Sequence, residues 1–79
     1  MIKELDSVVL TTDVPAEKLK AGDVGTVVFV HDGGKGFEVE FTSYTGSTLS
    51  VATVTASALR PVKPTDVKHI RDSLTPASA

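Results

Sequence analysis

The chain has 79 residues, no cysteine and a formal net charge of −2, so it has room for one small hydrophobic core and no disulfide to staple it. Thiolate chemistry and cysteine-ligated zinc or iron–sulfur sites are thereby excluded, and the composition is compatible with a reducing compartment. The opening MIKELDSVVLTTDV lacks the apolar stretch of a secretory signal, and no apolar run approaches the ~18 residues of a membrane span; a cytoplasmic protein off the membrane is expected.

In chain order, SVVL predicts a first strand with Val8 and Leu10 on one face. TTDVPAEKLKAGD is too long for a hairpin and too polar for a core element, so it reads as an excursion loop in which Val14 and Leu19 tuck back onto the core. The loop ends in LKAGDVGTVVFV, where Gly22 and Gly25 suit a sharp corner into the second strand and Asp23 caps the turn with its side chain. Within that strand two facings are open: strict alternation puts Val27 and Phe29 together, whereas a bulge turns Val27 and Val30 inward. HDGGKG is a hairpin turn, and FEVEF is a half-buried third strand with Phe37, Val39 and Phe41 on one side and Glu38 and Glu40 on the other. After a second turn at SYTGS, STLSVATV supplies a fourth strand with Leu49 and Val51 facing in. TASALRP then predicts one helical turn, and LRPV a short fifth strand that Pro61 marks as an edge. The expected core is Val8, Leu10, Phe37, Val39, Phe41, Leu49, Val51 and Leu59.

These elements describe an all-β fold: a small SH3-like five-stranded barrel over residues 1–62, followed by a C-terminal tail, residues 63–79. In PTDVKHIRDSL the period becomes helical, with Val67, Ile70 and Leu74 at i, i+3 and i+7 and Thr65 as N-cap. That spacing predicts a short amphipathic helix over about 65–74, too short to persist undocked. Docking on its own barrel is expected, with docking on a second copy as the alternative, so the chain is read as monomer or homodimer. The extreme TPASA is composed like a frayed end.

The set LDSVVL, LKAGDVGTVVFV, FEVEF and LRPV, spanning residues 5 to 62, resembles a widespread family of short bacterial proteins that carries no assigned function. The order of elements is also similar to that of the small SH3-like accessory subunits of photosynthetic complexes and of barrels with the KOW motif. Those resemblances imply a fold and nothing more, and this chain lacks the basic residues that flank the KOW motif.

Candidates for chemistry each meet a simpler explanation. GGKG lacks the Gly-Lys-Ser/Thr ending of a phosphate loop and opens no helix. His31 beside Asp32 has no further ligand at metal-binding spacing, and the serines and threonines form no nucleophile motif. No catalytic, cofactor or metal site is expected, and the protein is not read as an enzyme. Residues 1–59 carry four lysines against eight carboxylates, a net of −4, while residues 60–79 carry four basic residues against two acidic ones, a net of +2. An acidic body is a poor ligand for a phosphate backbone. The expectation is therefore a non-catalytic protein-binding or accessory module, the alternative being a nucleic-acid accessory protein using Arg60, Lys63, Lys68, His69 and Arg71 of the tail. With Phe37 and Phe41 assigned to the core, the candidate partner contacts are Asp13 and Pro15 in the long loop, Phe29, and Tyr44 at the second turn.

Overall fold

The computed structural model describes residues 1–74. Five strands follow one another: β1 (Ser7–Leu10), β2 (Val24–His31), β3 (Gly36–Thr42), β4 (Thr48–Thr55) and β5 (Leu59–Pro61), with single 3-10 turns at Pro15–Glu17 and Ala56–Ala58. All pair antiparallel in one sheet, ordered β4-β3-β2-β1-β5. The all-β class, the strand count, the long first loop and the turn before the last strand are those the sequence predicts. Closure is not: among the described residues no ladder joins β4 to β5, and the sheet keeps two edges.

One face of the sheet holds the core, formed by Val8, Leu10, Val27, Phe37, Val39, Phe41, Ala52, Val54 and Leu59, with Leu19 folding in from the loop and Val14 packed beside it. A bulge between Val27 and Phe29 resolves the facing of β2: Val27 is fully buried, Phe29 is half exposed, and Val30 packs against the core. Leu49 and Val51 are corrected. In an antiparallel ladder directly opposed residues share a face; Ala52 lies opposite Val39 and Val54 opposite Phe37, which leaves Val51 opposite Glu40 on the outer side. Leu49 and Val51 are accordingly 51% and 52% exposed.

The helix over 65–74 does not form; the described part of the tail carries no helix. Val67, Ile70 and Leu74 are all largely exposed, so the apolar stripe has nothing to dock on. Asp66 instead closes a turn on the Lys63 amide at 2.6 Å and accepts both terminal nitrogens of Arg60, at 3.0 and 2.9 Å. Farther on, Arg71 grips Asp23 in a two-point ion pair, Nε to Oδ1 at 2.8 Å and Nη2 to Oδ2, and also donates to the Lys18 carbonyl at 3.1 Å. Arg60 and Val24 are the residues opposite Val9 on its two neighbouring strands, and Asp23 directly precedes Val24. The two anchors therefore flank Val9, which faces away from the core yet is only 6% exposed. Segment 66–71 is thus a strap tied to Arg60 of β5 at one end and to Asp23, just before β2, at the other. The TPASA segment at 75–79 lies outside the described residues.

Candidate functional site

LKAGDVGTVVFV is a structural corner. Gly22 adopts φ +97° and donates to the Leu10 carbonyl at 2.8 Å. Asp23 accepts the Lys20 amide at 2.8 Å and the Arg71 guanidinium on the other side. Burial pushes the Asp23 carboxyl up, but the Arg71 hydrogen bonds and charge and the Lys20 amide more than offset this, leaving it below its ordinary range. Gly25 has an ordinary φ; it is required by close approach, since a Cβ there would lie 2.5 Å from Val39 Cγ1 and 2.9 Å from the Glu40 carbonyl.

The side chains with chemistry gather on the uncovered face of β2, β3 and β4. Phe29, Glu38 and Thr53 form one cross-strand row, and Thr26, Glu40 and Val51 the next. Glu38 Oε2 is 2.6 Å from His31 Nε2 and accepts from the Thr53 hydroxyl at 2.7 Å. The Thr53 bond first and the His31 bond second hold the Glu38 carboxyl below its usual range. Phe29 meets the His31 ring edge to face, centroids 4.9 Å apart. The sequence pairs His31 with Asp32, whereas the fold pairs it with Glu38, seven residues away. Thr53 directs its hydroxyl to the carboxylate, so Thr53, Glu38 and His31 form one open polar network on the outer face. Among the described residues no group of three His, Cys, Asp or Glu is gathered for a metal. A shallow open depression of about 360 Å³, lined by Met1, Ile2, Gly33, Gly34, Phe37, Ala56 and Pro61, carries no titratable side chain.

The four candidate contacts divide between two places. Asp13 accepts the Ala21 amide at 2.9 Å and ties the loop's two ends together. Pro15 opens the 3-10 turn whose Glu17 accepts the Ser50 hydroxyl at 2.6 Å, so the loop lies against the start of β4. Tyr44, 79% exposed, sits in the turn that leads into β4. Phe29 is apart from these, on the outer face two strands in from β4. Sequence reasoning missed Leu49 and Val51 as surface residues and Arg71 as the partner of Asp23.

A domain of unknown function (DUF4926) matches residues 4–61. The chain belongs to the DUF4926 family. The matched stretch covers all five strands of the DUF4926 sheet and ends on the last residue of β5, so the strap lies beyond it. Among curated proteins and among solved structures, none matches this DUF4926 chain. Among its described residues no helix is long and apolar enough to cross a membrane.

Proposed function

We propose that the chain is a non-catalytic module that binds a protein partner through the surface around β4. The observation that carries this reading is the inverted packing of that strand: the small Ala52 goes into the core while the larger Leu49 and Val51 are half exposed, in the same outer face as Phe29. Apolar surface left uncovered in this way, rimmed by polar groups, is the usual mark of an interaction site. The loop with Asp13 and Pro15 and the turn with Tyr44 border the same strand. The nucleic-acid reading loses support because Arg60 and Arg71, the two arginines of the basic tail, are each already held by a carboxylate of the chain. Co-purification of the full chain from its native lysate tests the proposal. A stoichiometric protein partner, retained at moderate salt and after nuclease treatment, is expected; recovery of the chain alone, or of nucleic acid in its place, overturns it.

A further inference from the structure

The two edges of the sheet are built differently. β5 is three residues long, bears Arg60 and ends on Pro61, and a short strand, a charge and a proline are all devices that keep an edge from pairing. β4 has none of them. It is eight residues long, TLSVATVT, without proline, glycine or charge, and among the described residues no strand pairs with its far side. An antiparallel strand paired on one side presents every second N–H and C=O to the other, ready for another strand.

The surroundings of this edge are acidic. Three of its hydroxyls donate to carboxylates from two segments, β3 and the long first loop: Thr48 to Glu40 at 2.6 Å, Thr53 to Glu38 at 2.7 Å and Ser50 to Glu17 at 2.6 Å. Each carboxylate retains further acceptor capacity beyond these bonds. Glu38 and Glu40 stand one strand in from the edge, so the main chain of a strand added to β4 would run two spacings, about 10 Å, from theirs. A lysine or arginine side chain and the glutamate side chain reaching toward it together close that gap, the basic side chain laying its apolar stem over Leu49 and Val51.

Resting on the reading of a protein-binding module, we propose that the β4 edge accepts an extended basic segment of a partner protein as an added sixth strand. The partner's main chain pairs with β4, and its alternate lysine or arginine side chains reach Glu38 and Glu40. A second copy of this chain fits the edge poorly, because β4 against β4 sets two chains of net charge −2 side by side with the carboxylates of Glu38 and Glu40 of each near the seam.

The test is titration of the full isotopically labelled chain with a synthetic alternating lysine–valine peptide, read by amide chemical shifts, with a glutamate–valine peptide of equal length as control. Expected are shifts centred on Thr48–Thr55, affinity that weakens from low to physiological salt, about tenfold weaker binding by the E38Q/E40Q double variant, equivalent to about 1.4 kcal/mol, and loss of binding by Val51→Lys. All of these positions lie on the exposed face, and unchanged thermal unfolding shows that the variants fold; Leu49→Lys provides a second blocked edge. Absence of binding, equal binding of the acidic peptide, or shifts confined to the tail overturn the proposal, as does a dimer that Val51→Lys converts to monomer. If the peptide fails while a lysate partner is still captured and is lost on Val51→Lys, the basic-strand inference falls and the protein-binding reading stands; if capture fails as well, both fall.

Discussion

Gly25 and Phe41 show how much of this small core rests on single residues. Gly25 lies opposite Val8 with Val39 and Phe41 directly above its Cα, so even a methyl group must displace two core side chains and a main-chain carbonyl. Gly25→Ala should destabilise by about 1–3 kcal/mol through overpacking, and Gly25→Val by more; a neutral Gly25→Ala in urea unfolding would show that the corner yields more easily than its contacts imply. Phe41 is 3% exposed, and Phe41→Ala should remove about 3–5 kcal/mol, most of the stability available to a domain of this size. A cooperative melt within a few degrees of the parent would contradict that placement. These two residues were legible in the sequence, Phe41 from the alternation of FEVEF and Gly25 from its position at a corner. Val9 was not, because it is buried on the face opposite the core, beside anchors at Asp66 and Arg71 that no local pattern reveals.

Among the elements, β1, β3 and β5 follow from alternation and proline, whereas β4 was read one residue out of phase. Leu49 and Val51 are more hydrophobic than Ser50 and Ala52, so the sequence favours the wrong face; the ladder with β3, shifted by an irregularity between Phe41 and Thr42, fixes the true one. That conflict between hydrophobicity and facing is also what exposes the candidate surface, which is a property of sheet order and so invisible before the strands are arranged. The tail misleads in a different way: a helical period in apolar residues means little without a surface to receive them. Its contribution comes from Arg71, whose two-point contact with Asp23 also locks the corner before β2. Arg71→Ala should lower stability by about 1 kcal/mol, the scale of a charged hydrogen bond discounted for partial exposure, and the melting temperature by about 4–8 °C. The chain should stay at its parental molecular mass in sedimentation; a change in mass would mean that the strap crosses to another copy.

For the molecule as a whole, the same carboxylates set the acid limit. Asp66 is drawn down to about 2, first by the Arg60 hydrogen bonds and then by the Lys63 amide, and Asp23 is also lowered. A carboxyl that binds protons more weakly folded than unfolded stabilises above its unfolded pKa, and that contribution fades as pH falls through the folded one. Melting temperature should therefore be flat above about pH 5 and decline between about pH 4 and 2. Asp23→Asn should shrink the decline, and a stability maximum below about pH 3 would contradict the assignment.

If β4 is where this domain meets another protein, as proposed, amide hydrogen exchange detects it most directly. In the free chain, alternate amides of Thr48–Thr55, those facing away from β3, should exchange fast while their neighbours bonded to β3 are protected. In the complex recovered from the native lysate, the fast set should become protected. Unchanged exchange along β4, with new protection appearing in the tail from Lys63 to Leu74 instead, would contradict the account.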